Sequence, residues 1–351
     1  MELELFDYHL PEESIAQEPL EPKEEAKLML VDRRSKRLED RKIKDLVEIL
    51  GENDVLVFNR TKVIPAKLFG EKTTGGKVEL LLVREMAEDT WEALSRPGLK
   101  EGQKVNFGPL MALVVGREDD LVKLKFNYSG EYLLSRIFDL GKTPLPPYIK
   151  SSKSEREWRR IYQTIYAKDD GSIAAPTAGF HFSEKLIRKL TSRGVGMEYL
   201  TLHVGLGTFR PVKSAQIEDH KMHSERFNLE KETCDRLNLA KREGKRVIAV
   251  GTTTCRVLES QSDEEGVLTP GQGETKIFIY PPYKFKFVDG MLTNFHLPKT
   301  TLLMLVSALV SAPNTKTAFK SFAENLMGKA YQKAIKGGYR FFSFGDAMLI
   351  L

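Results

Sequence analysis

Apolar and polar positions alternate with different periods in different parts of this chain, and the changes of period divide it. "DVLVFN" at 54–59 is an unbroken apolar, β-branched run and predicts a buried strand. From 62 to 127 short strand-like runs crowd together: "KVIPAKLFG", "KVELLLVRE", "TWEALSRP", "KVNFG", "MALVVGRE" and "LVKLKFN". Turn clusters such as "TTGG" and "PGLKEG" separate them and no helical period intervenes, which predicts a small closed or nearly closed β-barrel. "EYLLSRIFDL" then predicts a helix stopped by Gly141, and the prolines of "KTPLPPYI" a stiff connector.

Beyond 150 helices and strands alternate. "SEKLIRKLTSRG" is a helix with Ser183 as N-cap and Gly194 as its stop. "VGMEYLTLHV" and "KRVIAVG" read as strands, "ETCDRLNLAKREG" as a helix, and "TTTCRVLESQ" as a helix start. "TKIFIYPP", "LTNFH" and a final "YRFFSF" read as strands, with two helices over 299–335. The expected fold class is α/β with two domains. A mixed, barrel-like α/β main domain is built from 1–62 and 150–351, with a small β-barrel inserted at 63–149.

Composition narrows the class. The chain has 351 residues, 41% of them hydrophobic and 29% charged, as in soluble globular proteins. The acidic N-terminus lacks the basic segment of a signal peptide, and the longest apolar run, "TLLMLVSALVSA" at 301–312, is short for a bilayer span. Cys234 and Cys255 match no redox or paired-ligand spacing, so a reducing cytoplasm without disulfide or zinc is expected. The net charge of +5 is mild but clustered. Lys316, Lys320, Lys329, Lys333, Lys336 and Arg340 face the single Glu324, and "KSSKSEREWRR" at 150–160 is a second basic patch. Both suit a nucleic-acid partner or, equally, a solvated face.

Candidate chemistry sits where strands end. "AAPTAGFHF" carries His181 before a helix, and "TLHVGLGTFRPV" ends a strand at His203 with Gly205 and Gly207 beyond it. "HKMHSE" offers His220, His223 and Glu225, but without a third convincing ligand it suits acid–base or hydrogen-bonding work better than a metal. "VIAVGTTTCRVLES" sets three threonines at a helix start, a site for an anion or a plain N-cap. It lacks the spaced glycines of a dinucleotide or methyltransferase loop. Tyr283, Phe285 and Phe287 alternate with Lys284 and Lys286, a pattern of single-stranded nucleic-acid contact or of an amphipathic strand.

Taken in order, "FDYHLPEESIAQEP", "LVFNRTKVIPAKLFG", "AAPTAGFHF", "TLHVGLGTFRPV", "HKMHSERF", "VIAVGTTTCRVLES", "TNFHLPKTTLLMLVSAL" and "YRFFSFGDAMLIL" closely resemble the S-adenosylmethionine:tRNA ribosyltransferase-isomerase family of queuosine biosynthesis. The chain departs from the family's pattern in "KEEAKLML" at 23–30 and at Pro282. The resemblance implies that S-adenosylmethionine donates its ribosyl portion to the aminomethyl nitrogen of a 7-deazaguanine at the tRNA wobble position. Epoxyqueuosine-tRNA forms, adenine and methionine leave, and no metal is implied. The implied partner is a tRNA anticodon stem-loop, with no membrane and a cytoplasmic chain; the sequence leaves the oligomeric state open, a monomer among the options.

The proton handlers in this picture are Asp7, His181, His203, His223, Glu225 and His296, with acid and base roles undistributed. Asp7, Tyr8 and Phe209 are candidates for the sulfonium, and Thr252, Thr253, Thr254 and Arg256 for a carboxylate or phosphate. Arg210 would hold an anion nearby. The substrate-binding set also takes in Asn59, Arg60, Thr177, Gly179, Gly205, Gly207, Thr208 and Asn294. A non-catalytic RNA-binding protein and an ordinary methyltransferase are the competing readings. Release of free adenine from S-adenosylmethionine separates both from the first.

Overall fold

The structure is a computed structural model that describes residues 1–150, 152–205 and 212–351. Short turns of 3-10 helix lead to β1 (Lys27–Val31) and β2 (Leu38–Lys42), then to α1 (Leu46–Ile49), β3 (Asp54–Asn59) and β4 (Thr61–Val63). Every residue of β3 is buried, because it runs through the middle of a nine-stranded sheet.

The chain then leaves that sheet for a closed barrel: β5 (Lys67–Lys72), β6 (Lys77–Ala87), β7 (Thr90–Arg96), β8 (Lys104–Phe107), β9 (Leu110–Glu118) and β10 (Leu121–Phe126), in spatial order β10-β7-β6-β5-β8-β9. Alternate residues Val78, Leu80 and Leu82, Val122, Leu124 and Phe126 point inward. Helix α2 (Gly130–Leu140) adds Leu133 and Ile137 to this core. Closure leaves the barrel without an edge strand to protect.

Helix α3 (Glu155–Ile161) and β11 (Asp169–Ser172), paired with β4, return the chain to the large sheet. Helix α4 (Glu184–Ser192) starts where the Ser183 side chain accepts from Leu186 N–H, and Gly194 follows it at φ +84°. The sheet is completed by β12 (Gly196–Leu202), β13 (Glu225–Leu229), β14 (Arg246–Val250), β15 (Gly271–Thr275), β16 (Gly290–Asn294) and β17 (Ala347–Ile350). Its order is β15-β13-β12-β3-β14-β16-β17-β1-β2, with β12, β3, β14 and β16 parallel. Helices α5 (Lys231–Arg242), α6 (Thr252–Ser260), α7 (Thr301–Leu309) and α8 (Leu326–Lys336) cover it. The "TLLMLVSAL" run forms α7, capped by Thr300, and is buried almost throughout. Among the described residues no helix is long and apolar enough to cross a membrane.

Two expected strands are displaced. In "TKIFIYPP" the strand ends at Thr275, whose hydroxyl accepts the Ile277 N–H at 3.2 Å and turns the backbone out of the ladder. In "YRFFSF" the strand starts only at Ala347. The preceding residues form a turn held by the Asp346 carboxylate, which accepts from Arg340 N–H (2.7 Å) and Lys27 N–H (2.9 Å). Phe341 and Phe344 are buried there by tertiary packing outside the large sheet, with Phe341 making an isolated parallel bridge to Ile15.

Candidate active site

The parallel strands present their carboxyl ends together. At the end of β3 the Asn59 Oδ1 accepts from Leu202 N–H (3.0 Å) and Thr61 N–H (3.1 Å), while its Nδ2 donates to Leu202 C=O (2.9 Å) and Thr253 Oγ1 (3.2 Å). Its polar atoms are thus engaged in stapling β3, β12 and α6 together. Arg60 turns away to Asp169 (2.8 Å) and Glu230 (2.6 Å). Neither lines the two spaces described below, and both make these contacts to their own chain where substrate contact was expected.

Between the ends of β14 and β16 lies a small cavity walled by Thr177, Val204, Thr252, Thr253, Asn294 and His296 among others. Gly251, at φ +91°, lets α6 start directly over it. The first intrahelical bond runs from Cys255 N–H to Gly251 C=O, so the threonine N–H groups stand at the positive end of the helix. Thr254 turns inward, its hydroxyl donating to Val250 C=O at 2.8 Å. Thr177 Oγ1 donates to Asn294 Oδ1 (3.2 Å), and Asn294 Nδ2 faces His181 Nε2 (3.3 Å). Burial drives the pKa of both His181 and His296 down to about 3, with the positive charges of Arg340 and Lys23 adding to the effect at His181.

A larger cleft opens between barrel and sheet. Its sheet wall carries His203, Gly205, His223 and Glu225; its barrel wall carries Arg84, Glu85, Glu92, Asp119 and Asp120. His203 Nδ1 lies 2.8 Å from Thr61 Oγ1, and burial lowers its pKa. Glu225 is buried, accepts from Gly205 N–H at 2.9 Å and pairs with the buried Arg256, whose Nε donates to Ile277 C=O (3.3 Å). Arg256 therefore meets a carboxylate of its own chain first. His220 packs edge-on against Phe278, and among the described residues His220, His223 and Glu225 do not gather as a metal's ligand set.

The remaining sequence candidates separate. Asp7 pairs with Lys299 at 3.0 Å. Tyr8 packs against Phe322 and Tyr331 and donates its hydroxyl to His296 C=O, and burial raises its pKa. Gly179 sits where a Cβ would overlap the Tyr166 hydroxyl. Gly207, Thr208, Phe209 and Arg210 lie outside the described residues. The aromatic–lysine run at 283–287 is not a strand. It wraps the buried Glu259 carboxylate, which accepts from the Tyr283 hydroxyl and the N–H groups of Lys286, Phe287 and Val288. Sequence reasoning passed over Thr61, Thr293 and the acidic barrel wall, none of which stands in a motif of its own.

Residues 3–350 match the family described as queuosine biosynthesis protein. The chain is 48% identical over 357 residues to a Halothermothrix orenii protein and 49% identical over 358 residues to one from Clostridium kluyveri. Both alignments cover all of both chains, and both relatives are named S-adenosylmethionine:tRNA ribosyltransferase-isomerase. A crystal structure of S-adenosylmethionine tRNA ribosyltransferase from Thermotoga maritima aligns with a TM-score of 0.54 at 36% identity, over 99% of this chain and 100% of that one. With the family matched over residues 3–350 and relatives aligned along its whole length, the protein belongs to the queuosine biosynthesis family.

Proposed function

We propose that the chain transfers the ribosyl portion of S-adenosylmethionine to the aminomethyl nitrogen of a 7-deazaguanine at the wobble position of a tRNA anticodon stem-loop. Isomerisation gives epoxyqueuosine-tRNA, with adenine and methionine released. The names and full-length identity of the relatives support the reaction class. The observation that carries the site is the end of β12. Val204 lines the sheet-end cavity, while its neighbours His203 and Gly205 line the cleft beside the barrel. Donor and acceptor bound in the two spaces would meet at this one strand end.

In this reading the methionine carboxylate takes the N–H groups at the start of α6, where the helix dipole favours an anion. Arg256 Nη2, buried without a hydrogen-bond partner among the described residues, has donor capacity to add. The attacking amine must lose a proton, and the ribose carbon beside the sulfonium must lose another. His203, kept neutral by burial and oriented by Thr61, accepts one of these; His223 and Glu225 stand on the same wall for the other. His181 and His296 stay neutral across the working range and serve as hydrogen-bonding groups rather than proton donors. The carboxylates of the barrel wall complement the positive sulfonium and ammonium of the two substrates. The reading treats 63–149 as an inserted unit and 1–62 with 150–351 as one discontinuous unit, with chemistry between them.

The test is single-turnover adenine release from S-adenosylmethionine with tRNA bearing the aminomethyl base. His203→Ala should slow it by at least about a hundredfold, the scale of a lost proton-transfer group, with the melting temperature retained. S-adenosylhomocysteine as the product, or RNA binding without any consumption of S-adenosylmethionine, would refute the reading.

A further inference from the structure

Outside that site, two cavities share a wall. The smaller is bounded by Lys23, Phe180, His181, Arg340 and Ser343. The larger is bounded by Lys23, Phe180, Arg160, Thr164 and Ile165. Pro19, Lys23 and Phe180 belong to both, and Ser343 also walls the sheet-end cavity, so these adjoining pockets, taken as one groove, lie beside the site.

Its charge is basic. Lys150, Lys153 and Arg159 of the same basic stretch are spent on Glu12 (3.4 Å), Glu18 (2.9 Å) and Glu155 (2.9 Å). Arg160 and Lys23 form no ion pair among the described residues, and Arg340 on the floor holds only a long contact to Asp346 (3.9 Å) and a bond to Glu18 C=O. Glu21 is the acidic residue on the rim. A second observation is independent of charge. Thr164 is 5% exposed, and its hydroxyl is buried without a hydrogen-bond partner, although buried hydroxyls are ordinarily bonded. Its Cγ2 packs towards Gly179, occupying the space that a Cβ there would need.

We propose that this groove takes a backbone phosphate of the RNA substrate, with Lys23 and Arg160 meeting its charge and the Thr164 hydroxyl rotating out of its unpartnered buried position to donate to it. The proposal rests on the proposed function, which makes an RNA the substrate. The groove's field already reaches the site, since Arg340 and Lys23 both help to hold His181 neutral.

The test measures binding of a fluorescently labelled anticodon stem-loop by anisotropy across a range of potassium chloride concentrations. The double variant Lys23→Gln/Arg160→Gln should bind more weakly and lower the slope of log K against log salt by about 1, the value for one lost phosphate contact. Thr164→Val should weaken binding several-fold while raising the melting temperature, because it deletes an unpartnered buried hydroxyl. A purely structural threonine would leave RNA affinity untouched. Unchanged affinity and salt slope in the double variant overturn the proposal, as does inorganic phosphate binding that the variants abolish while RNA affinity stays intact. Adenine release by the wild type is read in parallel. If it persists while the variants change nothing, the groove alone falls. If the wild type neither binds the RNA nor releases adenine, the function falls and the groove with it.

Discussion

Acid should loosen the sheet around the site, and the two buried histidines set the amount. Burial, assisted at His181 by Arg340 and Lys23, takes the pKa of His181 and His296 from an ordinary 6.5 to about 3. In the unfolded chain both titrate near 6.5, so between pH 6.5 and pH 3 the unfolded state binds more protons than the native one. Stability therefore rises with pH across that window: their contribution is complete above about 6.5, falls progressively below it, and is gone below about 3. At pH 5 the unfolded histidines are almost fully charged while the native ones are neutral, a loss of about 2 kcal/mol for each and about 4 kcal/mol for the pair. The assay is urea unfolding at pH 7 and pH 5. With only two tryptophans in the chain, a Trp91→Phe background leaves Trp158 as the reporter. Trp158 stacks on Phe344 in a cluster with Phe180, next in sequence to His181. His296→Gln should shrink the difference between the two pH values by about 2 kcal/mol, and carboxylates that titrate at lower pH cancel in the comparison. An equal pH difference in variant and wild type would show that His296 is not held neutral, and the reasoning would fail.

Two further outcomes follow from the packing. Arg256→Met breaks the buried pair between Arg256 and Glu225 and should cost about 3–5 kcal/mol, read from the urea midpoint. Adding Glu225→Gln should recover part of that loss, and a single-variant loss under about 1 kcal/mol would mean that water reaches the pair. Gly179→Ala forces a Cβ into the Tyr166 hydroxyl and to 2.7 Å from Thr164 Cγ2, and should lower stability by about 1–3 kcal/mol. An unaltered melting temperature would show that the turn yields.

Much of the fold was legible because its signals are local. β3 is an apolar run bounded by polar residues, α4 and α7 carry their own Ser183 and Thr300 caps, and the barrel strands alternate with period two. The failures came where a tertiary contact outranks local pattern. Phe341 and Phe344 look like strand residues, yet the Asp346 carboxylate holds their segment as a turn. Lys333, one of a basic cluster that suited a nucleic-acid partner or a solvated face equally, bonds Asp40 and Leu38 C=O at 2.8 and 2.9 Å, contacts no local pattern announces. Tyr283 and Phe287 alternate with lysines as a stacking platform would, but the unseen partner was Glu259, 24 or more residues back along the chain.

By itself, then, the sequence determined the α/β class, the barrel within it and the family, because periodicity, caps and long motif strings are written in consecutive residues. It also named most of the polar groups at the strand ends. Only the tertiary structure decided which of them share a space. Thr177, Thr252, Asn294 and His296 join in one cavity, His203, His223 and Glu225 in another, while Asn59, Arg60 and Tyr8 become supports. The reason is physical: whether a side chain meets substrate or its own chain depends on neighbours 100 or more residues away. Thr61 at His203 and Asn294 at Thr177 are such neighbours, and no local pattern encodes those distances.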